Sequence, residues 1–123
     1  MTGLTQSLAR FVSELRPEHI PAEAFAVAER GTLDTIGVMF AGRDEPVVRL
    51  TAATLASVDE RGEARVLGDR GRANAADAAL INSVAGHALD YDDVALDGHP
   101  SVVLAPVVLA EGERLGRSGR EVL

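Results

Sequence analysis

The sequence predicts an all-α fold, a helical-bundle portion of about five helices with at most one short strand near residues 63–67. Three observations carry this. The chain is 46 % hydrophobic but only 3 % aromatic, and much of the apolar content is Ala, which gives a thin core suited to close helix-on-helix packing. Apolar residues recur in helical stripes, as at Leu4, Leu8, Phe11, Val12 and Leu15. Prolines stand at the starts of three further apolar runs, at Pro21, Pro46 and Pro100, where a missing N–H costs nothing.

The elements follow in order. A first helix is expected over Thr5–Leu15, broken by Pro17 and Pro21. A second runs from Pro21 to about Ala41, and its half Thr32–Phe40 is apolar nearly all round, as in a helix buried among others. Gly31 and Gly37 weaken it or admit a close neighbour. Pro46 opens a third helix through about Ser57, and Asp59–Gly62 is a turn. Glu63–Leu67, bounded by Gly62 and Gly68, reads as one short strand, and Asp69–Arg72 as exposed polar chain. Asn74 is the N-cap of a fourth helix that carries Ala75, Ala78, Ala79, Ile81, Asn82, Ala85 and Leu89. Asp90–Gly98 is an acidic loop. Pro100 then opens a fifth helix to about Leu115, which Pro106 should kink or delay. Ser118 and Glu121 form a capping box that announces one more element.

Composition excludes several functions. The chain has 123 residues and a formal charge of −7, so phosphate backbones are repelled and nucleic acid is no partner. It has no Cys and no Lys, all twelve basic residues being Arg, which removes thiolate sites, Schiff-base chemistry and a P-loop. No apolar run reaches the roughly 20 residues of a membrane span, and Met1–Arg16 lacks the apolar block of a signal peptide. A cytoplasmic protein with no membrane partner is expected. The whole chain, 1–123, is expected to form a single and incomplete helical domain.

One segment is chemically dense. Four of the nine Asp residues, Asp90, Asp92, Asp93 and Asp97, lie between His87 and His99. A divalent metal would suit carboxylates and imidazoles. An EF-hand fails, because the sixth position from Asp90 is Ala95 and the twelfth is Ser101. No HExxH helix is present. Acid–base chemistry without metal or other cofactor is the second reading. His99 sits at a loop-to-helix junction fixed by Pro100, Asp90 can orient it in one tautomer, and His87 shares a face with Asp90 if the fourth helix continues. The bland alternative is a solvated helix end, with Asp92, Asp93 and Asp97 before the positive N-terminus of the fifth helix and His99 as its cap.

The run from Ala78 through Gly86-His87-Ala88-Leu89-Asp90-Tyr91-Asp92-Asp93 resembles the signature of the MmgE/PrpD family, as do His99-Pro100-Ser101, Pro106, Ala110-Glu111, Gly116, Ser118-Gly119 and Glu121. That family includes 2-methylcitrate dehydratases, enzymes of propionate metabolism, and cis-aconitate decarboxylases. The resemblance implies a helical domain from a homodimeric, cofactor-independent and metal-free lyase of small polycarboxylates. It implies that Asp90 and His99 line the active site, and these two are expected to be catalytic, with His87, Asp93 and Ser101 expected to bind substrate. Val94 stands where a Thr often follows the acidic run, and the loop to His99 is about one residue shorter than in the decarboxylase branch. The cationic half of such a site uses Lys residues and a second His that this chain lacks, so the chain alone is expected to be inactive. The alternative is a non-catalytic module that associates with itself or with a full-length relative.

Overall fold

The computed structural model describes residues 3–55, 61–68, 71–95 and 97–123. The elements are α1 (Leu4–Glu14), a 3-10 turn (Pro17–His19), α2 (Ala22–Gly42), α3 (Pro46–Leu55), β1 (Ala64–Arg65), β2 (Arg72–Ala73), α4 (Ala75–His87), α5 (Pro100–Arg114) and α6 (Gly119–Val122). The mostly helical fold agrees with the sequence. The expected end of the third helix, the start of the turn that follows, and Asp69 with Arg70 lie outside the described residues.

The fold is built around α4, which packs against α2, α3 and α5. Most of its buried residues are small, Ile81 apart. Ala78, Ala79, Ala85 and Gly86 are buried, so neighbouring backbones come close. A Cβ on Gly86 would stand 2.9 Å from Val102 Cγ1 of α5 and 3.4 Å from Met39 Cγ of α2. A Cβ on Gly42 would overlap the Ala85 carbonyl oxygen. These two glycines set the helix spacing, and Met39, Val48 and Ile81 fill the core between the helices. The N-terminus of α4 is closed as expected, with Asp77 N–H donating to Asn74 Oδ1 at 2.9 Å.

Four expectations are corrected. The strand near 63–67 is a two-residue strand in a hairpin, with Ala64 opposite Ala73 and Arg65 opposite Arg72. The hairpin is held by side chains rather than by β-propensity. Asn82 Oδ1 accepts Leu67 N–H and Asn82 Nδ2 donates to the Arg65 carbonyl, both at 2.9 Å. The second half of α2 buries one face only, through Thr35, Val38 and Met39, while Leu33 and Phe40 stay exposed. Helix α5 is not delayed by Pro106, since it starts at Pro100 and continues through the buried Pro106. Helix α4 ends at His87, and Asp90 adopts a left-handed φ of 53° with its N–H bonded to the His87 carbonyl at 3.0 Å. Asp tolerates this conformation better than most residues, so His87 and Asp90 do not share a helical face.

The far end of α5 closes on Gly116 at φ 62°. Arg117 N–H reaches the Gly112 carbonyl at 2.8 Å and Gly116 N–H the Glu113 carbonyl at 3.1 Å, a Schellman arrangement. Helix α6 then folds back, with Val122 against Gly112. Helix α1 buries no residue, and its stripe of Leu8, Phe11 and Val12 is exposed. Among the described residues no helix is long and apolar enough to cross a membrane.

Candidate active site

Two helix ends and one loop build the site. His87 is the last residue of α4, and His99 is the residue immediately before α5. The loop between them turns twice. Asp90 makes the first turn, and Asp97 at φ 59° makes the second, where Ala95 and Gly98 exchange backbone hydrogen bonds at 2.9 and 3.0 Å. This return brings the two imidazoles together, with ring centroids 4.6 Å apart and planes tilted by 60°.

Asp92 lies between them. Its side chain is 1 % exposed, against 77 % for Asp90. Asp92 Oδ1 is 3.0 Å from His87 Nδ1, and Oδ2 is 3.1 Å from His99 Nδ1. The second contact is at ion-pair distance but off the hydrogen-bond line, and His99 Nδ1 is buried with no aligned partner among the described residues. Asp90 meets the other side of the same ring, 3.7 Å from His99 Nε2. The carboxylate nearest to His99 is therefore Asp92 rather than Asp90.

Asp93 and Ser101 face each other. Asp93 Oδ1 accepts Ser101 N–H at 3.1 Å and Asp93 Oδ2 accepts the Ser101 hydroxyl at 2.7 Å. Ser101 is the second residue of α5, so Asp93 satisfies one of the free N–H groups of that helix. His99 holds the N-cap position without a capping bond from its side chain. Asp93 does the capping, and the imidazole of His99 turns to the site instead.

Both imidazoles line an open, largely apolar cleft of about 480 Å³, walled by Val47, Val84, Val102 and Val103. The Asp90 and Asp92 carboxylates stand outside its lining. A molecule in the cleft meets two rings, and the charge of Asp92 lies behind them. A larger cleft of about 650 Å³, between Phe25, the end of α5 and α6, offers only Arg and Glu as ionisable groups. As a donor set, His87, Asp90, Asp92 and His99 each place one atom within 4.8 Å of the others, which a divalent cation could bridge.

Asp92 is the site residue that the sequence does not single out, since it falls among acids that fit a solvated helix end. Charge patterning carries no signal for it. The one hint is its place between two histidines that a short loop must bring together.

A model of the MmgE/PrpD N-terminal domain matches residues 6–123. The chain is similar to the cis-aconitate decarboxylase of Homo sapiens, with 29 % identity over 120 residues, 96 % of this chain and 25 % of that protein. It is 28 % identical over 121 residues to a cis-aconitate decarboxylase-like protein of Aspergillus oryzae, covering 97 % of this chain and 25 % of the relative. It is 25 % identical over 123 residues to the cis-aconitate decarboxylase of Aspergillus terreus, covering 98 % and 25 %. The chain thus spans about a quarter of the length of these relatives. No solved structure matches. On the match over residues 6–123, with the histidine pair set at the ends of two packed helices, this chain belongs to the MmgE/PrpD family and carries its N-terminal domain.

Proposed function

We propose that the chain is the N-terminal portion of a cytoplasmic, cofactor-independent carbon–oxygen lyase acting on small polycarboxylates, in the manner of a 2-methylcitrate dehydratase. The observation that carries this is the pair of imidazoles, 4.6 Å apart, opening on one cleft with a buried carboxylate behind them. Dehydration beside a carboxylate needs a base for the carbon-bound proton and an acid for the departing hydroxyl. His99 is the leading candidate for the base. Asp90, exposed at the edge and 3.7 Å from His99 Nε2, holds a water at that nitrogen rather than meeting an anionic substrate, which it would repel.

The decarboxylase names of the relatives support the same substrate class, small polycarboxylates. The electrostatics of this chain predict weak or absent turnover on its own. Its charge is −7, it has no Lys, and among the described residues the ion pairs of His87, Asp90, Asp92 and His99 are with one another. The test uses the three histidines as probes. Imidazole ¹⁵N signals are followed while 2-methylcitrate, then cis-aconitate, is added. Shifts at His87 and His99 but not at His19 are expected, and unmoved signals at both site rings would sink the reading. Dehydration by the chain above a His99→Ala control would overturn the inactivity.

A second reading is favoured by a separate observation. Val103, Leu104 and Val107 of α5 and the stripe of α1 expose apolar side chains, as expected of a surface that associates with another copy or a full-length relative. Sedimentation decides it, since a strict monomer at micromolar concentration is inconsistent with self-association.

A further inference from the structure

A neutral imidazole carries one proton, and its neighbours decide which nitrogen holds it. At this site the neighbour of both Nδ1 atoms is the same carboxylate. Asp92 Oδ1 and Oδ2 lie 3.0 and 3.3 Å from His87 Nδ1, and Oδ2 lies 3.1 Å from His99 Nδ1. A buried ring nitrogen without a partner costs about 1–3 kcal/mol. A lone pair on His99 Nδ1 would leave that cost unrelieved and would face an ionised acceptor. A proton there meets the carboxylate after a small ring rotation, while His87 Nδ1, on a half-exposed ring, already lies in hydrogen-bond geometry to it.

We propose that Asp92 is the positioning residue of this site: it holds both His87 and His99 as Nδ1–H tautomers and so makes their Nε2 atoms a pair of bases. The proposal deepens the lyase reading of the cleft and rests on it. It gives His87 a part in proton handling beside His99. A turnover on this pair starts with one ring neutral and the other protonated. One Nε2 lone pair takes the proton from the substrate carbon. The electron pair of that C–H bond becomes the new double bond, and the C–O bond breaks. The departing hydroxyl takes the proton from Nε2–H of the other ring and leaves as water, so the pair again holds one extra proton.

The test is a long-range ¹H–¹⁵N spectrum of the whole chain labelled at histidine, recorded above the imidazole titration range, with His19 as internal control. Nδ1–H is expected to exceed Nε2–H by roughly tenfold or more at His87 and His99. Asp92→Asn should collapse that ratio at both rings, and Asp90→Asn should leave it unchanged. An Nε2–H form at His99, or a ratio insensitive to Asp92→Asn, would overturn the proposal. If Asp92→Asn unfolds the chain, the wild-type spectrum still decides, since the Nε2–H form there is fatal. Ligand shifts lost with the tautomers intact count against the lyase reading alone. Wrong tautomers with ligand shifts intact count against the role of Asp92 alone.

Discussion

Asp93 caps α5 through Ser101, taking its N–H at 3.1 Å and its hydroxyl at 2.7 Å. This contact replaces the cap that His99 does not supply. Removing it frays the first turn of α5, where the site begins. Asp93→Ala is expected to cost about 1 kcal/mol in urea unfolding, and Asp93→Asn less, because its amide oxygen still accepts. A cost within error for Asp93→Ala would show that α5 needs no cap.

Asn82 ties the hairpin to α4 with two bonds from one amide, to Leu67 N–H and to the Arg65 carbonyl. Asn82→Ala leaves both backbone groups without their partner. The expected loss is on the order of 2–4 kcal/mol. Amide exchange at Leu67 should quicken well before exchange in the core of α4, and a uniform response would contradict the local role.

The spacing of α4 and α5 rests on Gly86 beneath Val102. Gly86→Ala is predicted to destabilise by about 1–3 kcal/mol through overpacking. Val102→Ala alone also destabilises, by opening a cavity. The double variant should lose less than the two losses added, because each change makes room for the other. Simple additivity would mean that the clash is absorbed elsewhere.

The last helix carries a pH signature. Glu121 is held below the ordinary carboxylate value, first by the Ser118 backbone N–H, then by the Ser118 hydroxyl, and then by Arg117. A carboxyl lowered by folding contributes stability above its unfolded value, near 4.3, and that stability is lost as pH falls through the lowered folded value. Protection of the Ser118 amide is expected to persist at pH 6 and to vanish on acidification below pH 4. Glu121→Gln should flatten that dependence. A pH-independent Ser118 amide in the unaltered chain would exclude the capping box as its source.

The fold was legible where local chemistry decides it. Asn74 with Asp77, and Ser118 with Glu121, are side-chain caps written in residues three apart, and Pro46 and Pro100 mark helix starts. The hairpin was half legible, because Arg72 and Ala73 carry no strand preference, and contacts distant in sequence place the two strands, Arg72 on the Gly62 carbonyl and Asn82 on the Arg65 carbonyl. The end of α4 was misread because Leu89 continues the apolar spacing, while Asp90 turns left-handed three residues after the last helical residue. Site residues were legible as a cluster but not in their arrangement. Which of several adjacent Asp residues is buried depends on the path of the loop, and a count of charges carries no path.

The two imidazoles stand on different helices, and the acid between them hangs from a loop fixed at both ends. The site therefore has no existence apart from the docking of α4 on α5. Its ring signals form and vanish with that docking, so two histidines report the cooperativity of the domain in a chain that has no tryptophan to do so.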